Sequence, residues 1–267
     1  MVVIAEPGLE LRQPATKWTT ERVLAIRNWT PTLLSFRTMR YQGFRFTPGH
    51  YARLGLGADD DRVWRPFSLT SATYDDYLEF IATLVPDGAF SERLGRLRIG
   101  DEISVEKSCY GFLTTAQLAP GRDLWMLASG TGIGPFLSIL HDPAVWQSWE
   151  RLIVVHSVRH AAELAYREEI ISMPQNPLFA PQRAQLTYLP VVTRDPGVSP
   201  LTERIPTLLD DGRLELAANA PLGVATSRVM VCGNPEMARD MRQVLSSRGF
   251  TTGRRGVPGQ MVFEKYW

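Results

Sequence analysis

The chain has 267 residues, 44% of them hydrophobic, and its 29 lysines and arginines nearly balance its 28 aspartates and glutamates, for a formal net charge of +1. That length accommodates two domains of ordinary size, and that hydrophobic fraction excludes a chain that is disordered throughout. A net charge so close to zero gives no reason to expect nucleic acid or an anionic membrane as a partner.

The first 17 residues are predicted to form an extension ahead of the folded domains. They contain no basic segment followed by a long apolar run, and no apolar stretch of 18 residues occurs in the sequence. We therefore expect neither a secretory signal nor a membrane helix. The sequence has two cysteines, Cys109 and Cys232, and two isolated thiols form neither a disulfide framework nor a four-cysteine metal site. These observations predict a cytoplasmic protein.

Residues 18–117 are predicted to form an antiparallel β-barrel. Short alternating segments occur there, namely ERVLAIR, LLSFRTM, YARLGL, YLEFIATL and DEISVE. They are separated by the turn clusters FTPGH, GADDD, VPDG and RIGD. Many short strands with regular turns and no convincing helix are typical of a closed or nearly closed antiparallel sheet.

Within this region, the segment RPFSLTSA at residues 65–72 has an unusual order. A fixed cation, Arg65, is followed by the ring of Phe67 and the hydroxyl of Ser68. The simplest interpretation is an edge strand. An edge strand does not require a cation, an aromatic ring and a hydroxyl within four residues. The alternative is that these side chains contact a ligand.

Residues 118–267 follow a different pattern, after a connecting segment at residues 114–123. Strand-like LWMLAS, RLIVVHSV, QLTYLPVV and RVMVCG are each followed by a helix-like segment. Strand followed by helix, repeated four times, predicts a parallel α/β sheet. The expected fold is therefore a two-domain chain, an antiparallel barrel followed by an α/β domain.

The first strand of the α/β domain leads into ASGTGIGP. Gly130, Gly132 and Gly134 let the backbone approach a diphosphate at the start of the next helix. The spacing matches neither the dinucleotide motif G-x-G-x-x-G, because Pro135 occupies the last glycine position, nor the P-loop. A tight strand–helix turn without a ligand is the alternative interpretation.

Three arginines follow the strands of this domain. Arg159 stands where NAD-binding folds place an acidic residue that binds the ribose, and a basic residue there suits a 2′-phosphate. Arg194 and Arg204 follow the next strand. Any one of them alone is more simply a solvated surface residue, but together they predict NADP rather than NAD.

Seven segments in order carry a resemblance to a known family. They are RPFS, VPDGAFS, GTGIGP, VHSVRHAAEL, TRD with LTERIP, VMVCGNPEM and FEKYW. Together, from about Thr20 to Trp267, they resemble the bacterial ferredoxin/flavodoxin–NADP⁺ reductases. The resemblance implies an FAD-binding barrel followed by an NADP-binding α/β domain, in agreement with the two patterns above.

The resemblance also implies roles for single residues of the barrel. Arg65 would bind the FAD diphosphate, Phe67 would lie against the flavin where the family usually has tyrosine, and Ser68 would bond near flavin N5. The turn at residues 89–91 would bind the diphosphate through its backbone N–H groups. The expected FAD residues are Arg65, Pro66, Phe67, Ser68, Ile81, Ala89, Phe90, Ser91, Thr131, Tyr266 and Trp267.

At the C-terminus, the family places Tyr266 on the flavin ring where the nicotinamide must later lie, and Trp267 would stack on the adenine. Glu264 matches a carboxylate near the nicotinamide, and Cys232 would face the same place. A small buried core residue is the alternative for Cys232. The expected NADP residues are Gly130, Gly132, Val158, Arg159, Thr193, Arg194, Arg204, Cys232, Gly233 and Asn234. The expected catalytic residues are Ser68, Cys232, Glu264 and Tyr266.

The implied activity is hydride transfer between NADPH and flavin N5, followed by single-electron transfer to ferredoxin or flavodoxin. A monomer without bound metal is expected. A basic docking face for the acidic carrier is expected from Arg93, Arg96, Arg98, Arg254, Arg255 and Lys265.

Two alternatives remain open, a flavoprotein redox sensor and the reductase component of an oxygenase system. A hydrolase is poorly supported, because there is no G-x-S-x-G motif and the four histidines show no metal or triad spacing.

Overall fold

A computed structural model describes residues 16–254 and 256–265 of the chain. Six strands form the first sheet, with the antiparallel order β4-β3-β6-β1-β2-β5. The strands are β1 Trp18–Thr30, β2 Leu33–Met39, β3 Tyr51–Leu56, β4 Val63–Ser68, β5 Tyr77–Thr83 and β6 Glu102–Tyr110. The predicted antiparallel barrel is thereby confirmed.

Hydrogen bonds between the segment after β4 and β5, the two outer strands of this sheet, close the sheet into a barrel. Just beyond β4, the N–H of Thr70 donates to the carbonyl of Glu79 on β5 at 2.9 Å. The N–H of Glu79 in turn donates to the Ser71 hydroxyl at 3.1 Å. These bonds cover backbone groups that an open edge strand would leave unpaired. The interior is filled by alternating apolar side chains, including Leu54 and Phe80, both fully buried.

The segment VWRPFS forms a strand, β4, in agreement with the simplest interpretation of its sequence. The barrel region also contains a helix that the sequence pattern does not predict. The first helix, α1 Ala89–Gly95, occurs where we expect no helix. It buries Phe90 and Leu94 against the barrel. Its seven residues are too few to be stable alone, so this packing maintains the helix.

The second sheet has five parallel strands in the order β11-β10-β7-β8-β9. The strands are β7 Asp123–Ser129, β8 Arg151–Val158, β9 Gln185–Val192, β10 Ser227–Gly233 and β11 Met261–Lys265. The helices are α2 Ile133–Leu140, α3 Pro143–Ser148, α4 Arg167–Ser172, α5 Ile205–Asp210, α6 Arg213–Ala218 and α7 Pro235–Ser247. The predicted α/β domain is confirmed, and β11 adds a fifth strand to the four that the pattern indicates.

Both faces of the parallel sheet are covered. Successive residues of β7 alternate between two cores, so that Trp125 packs in one cluster and Met126 in the other. All but the last residue of β7 are buried. This explains why the strand is a continuous apolar run rather than an alternating one.

The connection between the two sheets runs from the end of β6 at residue 110 to the start of β7 at residue 123. The boundary that we predict, between residues 117 and 118, lies inside this connection. The connecting segment is held against the α/β domain by Arg228, a residue that is 6% exposed. The Arg228 guanidinium donates to the backbone carbonyls of Ala119 and Pro120. No helix in the described residues is long and apolar enough to cross a membrane.

Candidate functional site

The strand order of the parallel sheet reverses between β7 and β10, and we call the surface at the carboxyl ends of these two strands the crevice. From β7 the chain proceeds to β8 and β9 on one side and later to β10 and β11 on the other. Ligands of open α/β sheets bind at such a reversal of strand order. Here the N–H and the side-chain amide of Asn234 both donate to the Ser129 hydroxyl, at 3.1 and 3.2 Å. These bonds fix the two strand ends to each other.

The glycine turn that follows β7 lines this crevice. Gly130 has a φ of +54°, and a Cβ placed on it would meet nothing within 4 Å, so this residue borders open space. Gly132 and Gly134 have a different reason to be glycine. A Cβ on Gly132 would collide with the Cys232 carbonyl, and one on Gly134 would press on Ile81 and on Thr70 of the barrel region. The glycines therefore allow close packing as well as ligand access.

One hydrogen bond joins the barrel to the last described strand. The Ser68 hydroxyl, at the end of β4, donates to Glu264 Oε1 of β11 at 3.0 Å. Glu264 lies beside Cys232 in the parallel register, and Cys232 is fully buried. The structure thus brings together three of the four predicted catalytic residues, which are far apart in sequence. Tyr266, the fourth, lies outside the described residues, as does Trp267.

The carboxyl group of Glu264 is mostly withdrawn from water. Burial raises its pKa from 4.5 to about 7, although the Ser68 hydrogen bond acts in the opposite direction. Gly111 lies close to the same group, since a Cβ there would be 3.3 Å from Glu264 Oε2. A carboxyl group with a pKa near neutrality is typical of functional sites.

The barrel residues predicted to bind FAD form a suitable site for it. Arg65 is exposed and donates to the carbonyl of its neighbour Trp64 at 2.8 Å. The rings of Phe67 and Phe90 pack with their centroids 5.1 Å apart, joining β4 to the start of α1. The buried Thr70 hydroxyl has no hydrogen-bond partner among the described residues. An exposed guanidinium, an aromatic pair and an unsatisfied buried hydroxyl therefore fit a flavin dinucleotide.

Ser91 and Ile81, two of the remaining residues predicted to bind FAD, also have structural roles. The Ser91 hydroxyl accepts a hydrogen bond from the Val85 N–H at 2.9 Å, so it holds its own loop. Ile81 is 6% exposed and packs in the core of the α/β domain, next to Gly134. Thr131, 8% exposed, lies in the glycine turn. Their contacts with FAD stay predictions.

The three arginines predicted to bind the 2′-phosphate lie beyond the ends of β8 and β9. The Arg194 N–H donates to the Arg159 carbonyl at 2.8 Å, so the backbone joins these two residues directly. The N–H and hydroxyl of Thr193 both donate to the Val158 carbonyl, at 3.1 and 3.2 Å. Arg204 comes from the start of α5 and is ion-paired instead, with its Nη1 2.9 Å from Glu236 Oε1.

The turn that carries Arg159 is held by acidic side chains. Glu163 Oε2 accepts hydrogen bonds from the N–H groups of Arg159 and His160, both at 2.9 Å. Asp195 accepts from the Ala161 N–H at 2.7 Å and lies 2.8 Å from His160 Nδ1. These acidic residues neutralise part of the local positive charge, but they bind backbone and leave the arginine side chains exposed.

The predicted basic docking face is only partly available. The Arg93 guanidinium donates to the Leu56 carbonyl and to Asp61, and Arg96 is ion-paired with Glu92 at 2.7 Å. Arg98, Arg254 and Lys265 are exposed. Arg255 lies outside the described residues.

Sequence reasoning missed one buried group beside the glycine turn. His156 on β8 is fully buried, with Nε2 3.0 Å from the Gly130 carbonyl oxygen. A histidine inside the apolar strand RLIVVHSV was the available signal. Its spacing from the other histidines matches no metal site or triad, because its partners are a backbone carbonyl and a tyrosine hydroxyl. No cluster that could hold a metal ion occurs among the residues that the structure describes.

The chain matches two family models and several characterised proteins. The Oxidoreductase FAD-binding domain matches residues 24–112, and the Oxidoreductase NAD-binding domain matches residues 126–243. Ferredoxin–NADP reductase of Pseudomonas aeruginosa is 38% identical over 250 residues, which cover 92% of this chain and 96% of that one. Flavodoxin/ferredoxin–NADP reductase of Escherichia coli is 38% identical over 251 residues, with 94% and 99% covered. The crystal structure of a ferredoxin NADP⁺ reductase from Neisseria gonorrhoeae with bound FAD and NADP superposes with a TM-score of 0.87 at 35% identity, covering 94% of this chain and 99% of that chain.

Proposed function

The chain belongs to the ferredoxin/flavodoxin–NADP reductase family, and from this premise we propose how its own residues hold the two cofactors and meet the electron carrier. It is an oxidoreductase with an FAD-binding barrel and an NADP-binding α/β domain. Bound FAD supplies the ability to exchange electrons in pairs with NADPH and singly with ferredoxin or flavodoxin. The residues described above bind and orient the reactants and control access of water.

The observation that carries the proposal is the Ser68–Glu264 hydrogen bond. It joins the end of the FAD-binding strand β4 to β11, which flanks the crevice of the NADP-binding domain. Reactive groups of the two cofactors must meet at such a junction for electrons to pass. Ser68 and Glu264 therefore orient the reacting rings, and Cys232 closes the floor of the crevice beside them.

Glu264 also holds a proton near the nicotinamide. With a pKa of about 7, the carboxyl group carries a proton in about half of the molecules at neutral pH. When Ser68 donates to Oε1, the other oxygen, Oε2, is the atom that carries this proton. The charge next to the nicotinamide ring therefore changes within the physiological range.

The FAD diphosphate is assigned to Arg65 and to the backbone at residues 89–91. An exposed arginine can offer two parallel N–H groups to phosphate oxygens. Arg65 is exposed and forms no ion pair with another described residue. The Thr70 hydroxyl is a further candidate to bind the flavin, because it is buried and lacks a partner among the described residues.

The 2′-phosphate of NADPH is assigned to Arg159 and Arg194, with Arg204 as a third ligand. In support, a backbone hydrogen bond joins the first two directly, and both side chains are exposed. Arg204 contributes only if the phosphate displaces Glu236 from its ion pair. Exchange of a carboxylate for a phosphate group is favourable in charge, because the phosphate carries up to two negative charges.

The carrier, ferredoxin or flavodoxin, is expected to dock near the Ser68–Glu264 junction. Of the basic residues predicted for that face, Arg98, Arg254 and Lys265 are exposed, so they are the ones we propose. The protein is proposed to act as a monomer in the cytoplasm. In support, one chain supplies both halves of the junction, and two cysteines far apart in the sequence suit a reducing compartment.

The test uses the purified protein. Flavin absorbance should be present, and NADPH should bleach it under anaerobic conditions before ferredoxin or flavodoxin restores it. Carrier reduction should slow as salt concentration rises, because steering by exposed charges is screened. Flavin that NADPH does not reduce would contradict the proposal and favour a redox sensor. Reduced flavin that neither carrier reoxidises would favour a component of an oxygenase system.

A further inference from the structure

His156 occupies a position in the sheet where an apolar side chain is expected. It lies between Ala128 of β7 and Pro190 of β9 in the parallel register. The side chain is 0% exposed. Burying a polar ring without partners is costly, but this ring has two partners. Nε2 is 3.0 Å from the Gly130 carbonyl oxygen, and Nδ1 is 3.2 Å from the Tyr188 hydroxyl.

These two partners determine which nitrogen carries the hydrogen. A carbonyl oxygen only accepts, so Nε2 must donate to Gly130. In a neutral ring Nδ1 then accepts, and the Tyr188 hydroxyl is the donor that it requires. Burial favours this neutral form, because it lowers the pKa of His156 to about 4. Tyr188 thereby fixes the tautomer that binds the glycine turn.

The bond to Gly130 fixes the orientation of one peptide group in the crevice. The Gly130 carbonyl also accepts the N–H of Ile133 at the start of α2. Because the peptide unit is planar and trans, the Thr131 N–H is directed away from the Gly130 carbonyl. The first N–H groups of a helical segment have no partner within it. A carbonyl drawn toward His156 therefore leaves the Thr131 N–H directed away from β8, at a residue whose neighbour Gly130 borders open space.

We propose that His156, held in one tautomer by Tyr188, is a positioning residue that orients the Gly130–Thr131 peptide for the diphosphate of NADP(H). This inference rests on the proposed function of the crevice. His156 does not touch the reactants and acts through the backbone of the turn. Gly130, with its positive φ of +54°, can adopt other backbone conformations at little cost, so the turn needs an external restraint.

The experiment compares the NADP⁺ affinity of three variants. Each variant is titrated with NADP⁺, and binding is detected both by calorimetry and by the change in the flavin absorbance spectrum. His156→Leu removes the donor to Gly130. His156→Gln keeps an N–H at about the position of Nε2. Tyr188→Phe removes only the hydroxyl that fixes the tautomer. We expect the leucine variant to bind NADP⁺ about tenfold or more weakly, and the other two to lose about twofold to threefold, in line with one lost or weakened hydrogen bond.

Two controls separate positioning from general destabilisation. Ile153→Val alters the opposite face of the same strand, in the other core cluster, and should leave NADP⁺ affinity unchanged. The probe 2′-phospho-AMP lacks the diphosphate bridge, so it should bind equally well to the wild type and to all variants. In steady state with ferricyanide as electron acceptor, the KM for NADPH should rise more than kcat falls.

Several outcomes would overturn the proposal. His156→Leu could bind NADP⁺ like the wild type, or Ile153→Val could lose as much affinity as His156→Leu. Equal loss of 2′-phospho-AMP binding would also count against it, because that loss indicates a disturbed domain. If the leucine variant does not fold, an unchanged affinity in both His156→Gln and Tyr188→Phe, without a change in the flavin spectrum, would refute it. Failure of the wild type to bind NADP⁺ would instead refute the proposed function.

Discussion

Glu264 shows how burial and a single hydrogen bond determine the chemistry of one residue. The sequence resemblance predicts both Ser68 and Glu264 as site residues. Their mutual bond, across 196 positions of sequence, and the pKa near 7 follow from three-dimensional packing alone. No local pattern contains that information, because the desolvation of Glu264 comes from segments far apart in the chain.

The first prediction concerns this carboxyl group. An ionised Glu264 attracts the positive ring of NADP⁺, whereas the protonated form does not, so ring affinity should increase as pH rises through 7. Glu264→Gln resembles the protonated form at every pH. The wild type should therefore bind NADP⁺ about threefold to tenfold more tightly than the variant at pH 8, and about equally at pH 6.

Calorimetric titrations at the two pH values measure this difference. The 2′-phosphate titrates as well, with a pKa near 6, but it does so equally in both proteins and cancels in their ratio. The probe 2′-phospho-AMP has no nicotinamide and should show no difference between the proteins. A ratio that stays the same from pH 6 to pH 8 would contradict the prediction.

At the scale of elements, the alternation of strands and helices was readable from the sequence. Long apolar segments such as LWMLAS and RLIVVHSV became β7 and β8, because parallel strands covered on both faces need continuous apolar residues. The short elements were not readable. Helix α1 depends on burial of Phe90 and Leu94, and β11 depends on pairing with β10. Tertiary contacts outweigh local propensity in such short segments.

The turns after β8 and β9 lead to the second prediction. Arg159→Ala should raise the KM for NADPH about tenfold to a hundredfold, the usual cost of one charge-assisted contact. The KM for NADH, which lacks the 2′-phosphate, should change little. Steady-state kinetics with both cofactors measure the effect. Arg239→Ala is a suitable control, because this exposed arginine of α7 pairs only with its neighbour Asp240 among the described residues. Equal losses with NADPH and NADH would rule out the 2′-phosphate role.

The third prediction concerns the ion pair between Arg204 and Glu236. Both side chains are more than half exposed, so the pair itself contributes little to stability. If Arg204 binds the 2′-phosphate as proposed, Glu236 competes with that phosphate for the guanidinium. Glu236→Gln should therefore lower the Kd for 2′-phospho-AMP about twofold to fivefold without lowering the Tm, as exposed pairs are worth less than about 1 kcal/mol. Calorimetry and thermal melts test this, and weaker binding would indicate that Arg204 does not reach the phosphate.

At the scale of the whole molecule, one buried contact joins the two domains away from the crevice. The Tyr166 hydroxyl donates to Glu79 Oε1 of β5 at 2.8 Å, and Arg37 donates to the other Glu79 oxygen at 2.9 Å. The Tyr166 ring also packs on Trp29 of β1, with centroids 4.9 Å apart. The sequence pattern predicts the two domains but does not indicate this contact. Each of these residues is of a type that is common at ordinary surface or core positions, so none of them stands out in the sequence.

The fourth prediction follows from that contact. Tyr166→Phe leaves Glu79 Oε1 buried without its donor, which typically costs about 1–3 kcal/mol. The Tm should fall by several degrees, and calorimetry should show the two domains melting less cooperatively. Tyr74→Phe is the control, since that side chain is 56% exposed, and it should melt like the wild type. An unchanged melting profile in Tyr166→Phe would show that the hydroxyl does not couple the domains.

The fifth prediction concerns the dependence of stability on pH. His156 has a folded-state pKa of about 4, below its ordinary 6.5. Its contribution to the free energy of unfolding is therefore fully present above pH 6.5 and is lost as pH falls toward 4. Glu264 has a folded-state pKa of about 7, above its ordinary 4.5, so its contribution is present below pH 4.5 and is lost as pH rises toward 7. Each contribution amounts to roughly 3 kcal/mol, and their opposite pH dependences nearly cancel between pH 4.5 and 6.5, so that their sum stays almost constant there.

Single variants should reveal these opposing slopes. In urea unfolding at a series of pH values, the stability of Glu264→Gln relative to the wild type should fall on acidification. The relative stability of His156→Gln should rise on acidification. Parallel curves for the wild type and both variants would show that neither group titrates with a shifted pKa.

The position of β11 has a consequence for synthesis of the protein. Among the described strands, β11 pairs with β10 alone, and it follows every other described strand along the chain. During translation, the barrel and the first four strands of the parallel sheet are available to fold before residue 261 is made. A ribosome that stops early therefore releases a chain that can form the barrel but has no Glu264 for Ser68 to bind. Such a fragment retains the flavin-binding domain without the carboxyl group that we propose to lie near the nicotinamide, so only a chain translated through β11 can form the complete crevice.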